Sequence, residues 1–159
     1  MFFVTKRSSK LLIGAALLSA VNIAIAQPAD NAELKRQLSR AIKSDTPTKL
    51  KYFADVNDRC GVTRQDIQAV VNGQFRSSGI SPVYNNSRYL SVELNCLKAE
   101  SPSNQAYFLR VAFGRWSPKP AILYKPAIEV EGESDKAGML SAVELQVGEA
   151  LNYFQQANR

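Results

Sequence analysis

Hydrophobic and polar residues alternate in three stretches of this chain, and a period of two is typical of β-strands that are buried on one side. The stretches are residues 50–56, 90–96 and 107–113. The last two are separated by a short polar segment, so we expect them to pair as an antiparallel hairpin. Cys96 falls on the apolar face of the second stretch.

Three other stretches carry apolar residues at the spacing of an α-helix. The first helix is predicted to begin at Asp30 and to run for about 13 residues. The second has the clearest boundaries: Thr63 and Asp66 have the spacing of a capping box, and Gly79 suits the left-handed position after a helix. The third is predicted over residues 136–156.

These elements predict an α+β fold. We expect a two-layer sandwich in which the helices cover one face of a mostly antiparallel sheet of about four strands, because a sheet with one apolar face has to bury it. The predicted core brings residues of the sheet against residues of the second and third helices. These are Tyr52, Cys96, Leu109 and Phe113 on the sheet, and Val71, Phe75, Val147 and Leu151 on the helices.

A short repeat, Lys-Pro-Ala-Ile, occurs at 119–122 and again at 125–128. Its two prolines lack the N–H group that a central strand needs, so the segment is predicted to lie at a sheet edge. Three interpretations stay open. The repeat protects the edge against aggregation, it is a chance duplication, or it presents apolar side chains to a partner, namely Ile122, Tyr124 and Ile128.

Acidic residues follow the repeat at alternate positions: Glu129, Glu131, Glu133 and Asp135. An extended chain would place these carboxylates on one side, where oxygen ligands suit calcium. The segment lacks the turn glycine and the ligand order of a calcium-binding loop. We therefore predict a solvated acidic turn before the last helix.

The first 26 residues have the layout of a secretory signal peptide. A basic head at positions 6–10 precedes an apolar run over 11–25, and Ala24 and Ala26 form a small-x-small cleavage site. The run is shorter than the roughly 20 residues that span a bilayer, and no cysteine follows it for lipid attachment. We predict cleavage before Gln27, one exported domain over 27–159, a periplasmic or extracellular location, and no transmembrane segment in the mature chain.

Composition narrows the function further. Without the leader the chain has 17 basic and 14 acidic residues, and this small excess disfavours nucleic acid as a partner. The chain contains no histidine, which excludes histidine-based catalysis and histidine metal sites. Carboxylate, lysine and tyrosine chemistry stays possible. We predict no cofactor.

Both cysteines, Cys60 and Cys96, lie in the predicted exported part. Two cysteines in an oxidising compartment favour a disulfide. Two separate buried thiols are the main alternative. A bond would tie the start of the second helix to the sheet.

The sequence predicts a small non-enzymatic domain that binds a protein or another component of the cell envelope. Arg115 and Trp116 are candidate contacts because these residue types dominate interface hot spots. The competing interpretation of Trp116 is that it covers one end of the core. Two other functions remain as alternatives: a carrier of a small apolar ligand or lipid, and a small enzyme that uses carboxylates.

Overall fold

A computed structural model describes residues 28–97, 105–116, 122–123 and 127–159. It contains three helices: α1 (Pro28–Ile42), α2 (Arg64–Ser78) and α3 (Lys136–Ala157). Its six strands are β1 (Lys49–Val56), β2 (Ser81–Pro82), β3 (Arg88–Cys96), β4 (Gln105–Arg115), β5 (Ile122–Leu123) and β6 (Ile128–Ser134). The predicted leader, Tyr124 and both prolines of the repeat lie outside the described residues.

The strands form one sheet in the order β2-β1-β3-β4-β5, and β6 pairs with β4 alongside β5. β1 is parallel to β2 and β3, whereas β4 is antiparallel to β3, β5 and β6. The class is α+β, as predicted, but the sheet is mixed and has two very short strands. The parallel pair arises because α2 connects β1 to β3, and such a crossover returns the chain in its original direction.

The ends of α2 confirm the prediction from its sequence. The Asp66 N–H donates to the Thr63 hydroxyl (3.2 Å), and the Thr63 N–H donates to the Asp66 carboxylate (2.8 Å). Gly79 follows the helix at φ 70°, a left-handed conformation that glycine adopts without strain. These local signals define both boundaries.

Asp66 also ties the start of α2 to the start of α3. The Lys136 ammonium donates to the Asp66 carboxylate at 2.8 Å. This bond, together with those from Thr63, lowers the pKa of Asp66 from 3.8 to about 2. The Asp66 carboxylate therefore loses its charge only in strongly acidic solution.

Two boundaries differ from the prediction. α1 begins at Pro28 rather than Asp30, and proline is well suited to the first turn of a helix. The predicted acidic turn is wrong, because residues 128–134 form strand β6 along β4. Ile128 and Val130 alternate with the glutamates and pack on the core, which favours a strand over a turn. Asp135 does lie before the helix, where it caps α3.

The core lies between the helices and one face of the sheet. Tyr52 and Phe75 contact each other with ring centroids 5.3 Å apart, and Phe113 stacks on Phe154 at 6.1 Å. The predicted core residues all belong to this cluster, with Tyr52 partly buried at its margin. One continuous core thus fixes the helices on the sheet.

A disulfide joins Cys60 and Cys96, with Cα atoms 5.1 Å apart. It links the turn before α2 to the end of β3, as predicted. The buried Gln105 holds the same region: its Nε2 donates to the carbonyls of Arg59 (2.6 Å) and Leu97 (2.9 Å), and its Oε1 accepts from the Gly61 N–H (3.2 Å).

The described part of the repeat lies at a sheet edge. β5 pairs with Gly114 and Arg115 of β4 and ends the strand order. Ile128 opens β6, which pairs with the same strand further along. Within the ranges given above, no helix is long and apolar enough to cross a membrane.

Candidate functional site

The second face of the sheet carries the side chains that alternate with the core residues, and we call it the open face. No helix among the described residues packs on it, because their buried residues belong to the core on the other side. The open face includes Lys49, Lys51, Phe53 and Asp55 on β1, Tyr89, Ser91 and Glu93 on β3, Phe108, Arg110 and Ala112 on β4, and Glu129, Glu131 and Glu133 on β6.

Three aromatic rings form a cluster at one end of the open face. Phe53 contacts Tyr89 edge to face at 5.0 Å and Trp116 at 6.0 Å. Tyr89 is 4% exposed, whereas Phe53 and Trp116 are 37% and 57% exposed. We call these three residues the aromatic cluster. Its lower ring is buried and its two upper rings face solvent.

Strand pairing explains how residues so far apart in sequence meet. Tyr89 lies opposite Lys51 on one side and opposite Gly114 on the other, so Phe53 is its diagonal neighbour. The N–H of Trp116 donates to the Ser87 carbonyl at 2.6 Å, which extends the β3–β4 pairing by one step. The cluster thus depends on the register of three strands.

Gly114 makes room for the Tyr89 ring. A Cβ atom at position 114 would lie 2.4 Å from the Tyr89 ring carbon Cζ, far inside van der Waals contact. The Tyr89 ring therefore lies directly over Gly114 of β4. This close approach contributes to the burial of Tyr89, which is 4% exposed.

Lys51 lies over the exposed rings. Its Nζ is 4.7 Å from the centroid of Phe53 and 5.6 Å from that of Trp116. Both distances are in the range of cation–π attraction. The aromatic cluster therefore presents an ammonium group beside two apolar rings, a combination suited to a partner with apolar and acidic groups.

The rest of the open face carries a row of charges together with Phe108 and the buried Ser91 and Ala112. Arg110 lies between Glu93 (4.0 Å) and Glu129 (3.6 Å), and its buried Nε makes no hydrogen bond within the described residues. Ser91 donates to Glu93 at 2.9 Å. Further along, Asp55 contacts Arg64 at 2.7 Å.

The three predicted contact residues whose side chains the structure describes, Arg115, Trp116 and Ile128, do not lie on one surface. Trp116 is exposed and lies outside the core cluster. Arg115 is also exposed but, as the preceding residue of an extended strand, it points to the other side of the sheet. Ile122 lies in β5, Tyr124 is outside the described residues, and Ile128 packs against the core on the helix side.

Ile128 borders a shallow apolar groove at the margin of the core. The groove has a volume of about 230 Å³. It is lined by residues of α1, α3, β4 and the start of β6, including Leu38, Val111, Phe113 and Ala150. The centre of the core, by contrast, is filled by fully buried side chains such as Phe75 and Phe154.

The alternating acidic residues predicted from the sequence have separate structural roles. Glu129 contacts Arg110, and Asp135 accepts a hydrogen bond from the Gly138 N–H at 2.8 Å. Across the described ranges, no group of three or more metal-ligating side chains has a geometry that could hold an ion. The alternation at 129–133 is explained by a strand with one solvated side.

The sequence indicated Trp116 but not its neighbours. Phe53 and Tyr89 are ordinary alternating positions of two strands, and only the β1–β3–β4 register places them under the tryptophan. The sequence likewise gives no sign that Lys51 lies beside the rings, because this position follows from the pairing of β1 with β3. The one available signal was the odd presence of an aromatic residue, Phe53, among the polar positions of β1.

No protein family and no curated protein matches this chain. Among solved structures, it is similar to the PelC dodecamer from Paraburkholderia phytofirmans, with 12% identity over 69% of this chain and 88% of that chain and a TM-score of 0.42. It is also similar to a minor lipoprotein from Acinetobacter baumannii, with 9% identity over 70% and 91% of the two chains and a TM-score of 0.36. Similarities at this level carry no argument about function.

Proposed function

We propose that this protein is an exported, non-enzymatic domain of the cell envelope that binds a protein through the open face of its sheet. One observation carries the proposal. Within the described ranges, no helix covers the aromatic cluster on the face opposite the core, and Phe53 and Trp116 are 37% and 57% exposed. Surfaces of this kind mark interaction sites more often than single exposed apolar residues do.

The composition of the surface supports a protein partner. Tryptophan is enriched in interface hot spots, and it gains most when a partner removes its ring from water. Lys51 adds a positive charge at 4.7 Å from the Phe53 ring centroid, so a partner is selected by charge as well as by apolar area. The surrounding charged row would form the polar rim of such an interface.

Export is supported by two independent features. The leader has the layout of a signal peptide. The Cys60–Cys96 disulfide belongs to a class of bond that persists mainly in oxidising compartments. The non-enzymatic interpretation is supported by the contacts of three carboxylates. Glu93 and Glu129 both contact the guanidinium of Arg110, and Asp135 caps α3.

Site-specific crosslinking tests the binding surface. A photo-crosslinking amino acid is placed at position 53 or 116 of the full chain, expressed in its host, and crosslinks are identified by mass spectrometry. Matched controls are Leu145 on α3 and Leu34 on α1, which are 60% and 39% exposed and lie on helices on the other side of the sheet.

We expect one defined adduct from positions 53 and 116, none from the controls, and its loss from position 53 when Trp116→Ala is added. Equal crosslinking from all four positions would contradict the proposal, because it would mean nonspecific contact. Loss of stability is checked separately by urea unfolding of the Trp116→Ala variant.

The apolar groove beside Ile128 favours a second candidate, a carrier of a small apolar ligand. Its volume of about 230 Å³ is below the usual range for ligand pockets, roughly 300–1,000 Å³. Titration with a fluorescent fatty acid tests it. A carrier would bind the probe with saturation, and Ala127→Glu, at a partly exposed position of the groove lining, would abolish that binding without affecting crosslinking at position 116.

A further inference from the structure

Charges are sorted by sign along the strand direction of the open face. One end, the basic end, carries Lys49 and Lys51 beside the aromatic cluster. The other end, the acidic end, carries Asp55 and the glutamates of β3 and β6, partly neutralised by Arg64 and Arg110. The glutamates are Glu93, Glu129, Glu131 and Glu133.

A face with opposite charges at its two ends is complementary to itself. In a two-fold symmetric contact, each surface patch of one copy meets a different patch of the other, and the reverse contact forms at the same time. The symmetry therefore makes two equivalent contacts between a basic end and an acidic end. Each contact brings an oppositely charged neighbour to a charge at the surface.

We propose that the protein partner of the open face is a second copy of this chain, bound face to face so that the basic end of each copy lies on the acidic end of the other. The proposal rests on the proposed function and names the partner of that same surface. The two exposed rings of each copy, Phe53 and Trp116, become buried between the sheets.

The size of the face suits a weak dimer. The four longer strands have 8, 9, 11 and 7 residues. At about 3.3 Å per residue and about 4.8 Å between strands, they give a face of roughly 550 Å². Two faces then bury at most about 1,100 Å², because Tyr89, Ser91 and Ala112 are already buried in the monomer. An interface of this size is typical of weak, transient contacts, so we expect a dissociation constant on the order of micromolar or higher.

Charge also argues against the other way to pair two sheets, edge to edge along β6. An antiparallel β6–β6 pair centred on Glu131 would place Glu131 beside its own counterpart and Glu129 beside Glu133. Like charges directly opposite each other destabilise a strand pair. The acidic side chains thus protect the edge while they complement the basic end on the face.

Analytical ultracentrifugation of the protein purified after expression of the full chain tests the proposal. We expect a reversible monomer–dimer equilibrium. Lys51→Glu and Glu131→Lys should each weaken the dimer by about tenfold or more, since like-charge contacts across an interface are costly. The double variant, in which the charges are exchanged, should recover most of that affinity. Lys43→Glu, an exposed lysine after α1, is the matched control and should not change it.

Tryptophan fluorescence gives a second readout. Trp116 is the only tryptophan of the chain, so its emission reports on the open face alone. We expect a blue shift with increasing protein concentration that Lys51→Glu removes, while urea unfolding shows that the variant is folded.

Two results would overturn the proposal. One is a wild-type protein that stays monomeric at roughly 100 times a micromolar dissociation constant. The other is a double variant whose dimer is as weak as that of the single variants. If position 116 still crosslinks specifically to a different protein in that case, the open face is a binding surface and only the second copy is wrong. Absence of both crosslinks and self-association refutes the proposed function as well.

Discussion

Gly114 is a residue whose missing side chain shapes the open face. A Cβ atom there would lie 2.4 Å from the Tyr89 ring, and Tyr89 is held in place by Phe53. We expect Gly114→Ala to lower the free energy of unfolding by about 1–3 kcal/mol, the usual cost of overpacking a filled site. Urea unfolding measures this loss.

Gly73 provides the matched control for this prediction. It lies in the middle of α2, and a Cβ atom there has no neighbour within 4 Å. Gly73→Ala should stabilise the protein by about 0.5–1 kcal/mol, because alanine favours the helix. A loss at position 114 no larger than the change at position 73 would mean that Tyr89 moves aside freely.

Asp66 makes stability depend on pH in the acidic range. Lys136, and then Thr63, hold its pKa at about 2 in the folded protein, against an ordinary value of 3.8. The unfolded chain therefore binds the proton more tightly, so the stabilisation is complete above pH 3.8 and is lost as the pH falls toward 2.

We expect the unfolding free energy of the wild type to fall more steeply between pH 5 and pH 2 than that of Asp66→Asn, which has no charge to lose there. Lys136→Met, which keeps the cap of α2, should show an intermediate slope. Parallel curves for the wild type and Asp66→Asn would contradict this assignment of the pKa shift.

Among the elements, those with strong local signals could be predicted from the sequence. The capping box of Thr63 and the left-handed Gly79 define α2 because their chemistry acts within a few residues. Strand β6 was missed since only Ile128 and Val130 mark its apolar side, and its partner β4 decides its conformation. The parallel pairing of β1 and β3 likewise depends on the path of α2 and not on either strand.

The disulfide joins two of these elements and should contribute strongly to stability. Cys60 and Cys96 are 36 residues apart, and closing a loop of that length in the unfolded chain is worth about 3–4 kcal/mol. We expect the Cys60→Ala, Cys96→Ala double variant to lose about 2–4 kcal/mol in urea unfolding. Thiol labelling of the unfolded wild type without reductant should find no free cysteine.

A reductant provides the control for that variant, because it should destabilise the wild type by a similar amount and leave the double variant unchanged. A loss below about 0.5 kcal/mol would mean that core packing, with Cys96 fully buried beside Met139, holds this region without the bond.

In the whole molecule, the two faces of one sheet have different roles. The helix side closes the core, and its composition could be predicted from periodicity alone. The open face could be predicted only in part: Trp116 was indicated by residue type, whereas Lys51 and Phe53 acquire their place from the pairing of β1 with β3. Sequence periodicity tells which residues share a face of one strand, but the neighbours across strands follow from register.

The location of the whole molecule depends on whether residues 1–26 act as a leader, and cleavage is the last prediction. Ala24 and Ala26 supply the small residues of the cleavage site. Intact mass of the exported protein should therefore show a chain that starts at Gln27 and contains the Cys60–Cys96 bond.

Ala26→Arg should block cleavage and leave the leader attached, because a large charged side chain does not fit where a small one is required. Ile25→Gln changes the neighbouring position, where size is not restricted, and should be cleaved normally. An exported wild type that retains Lys6 would contradict the prediction and indicate a membrane anchor.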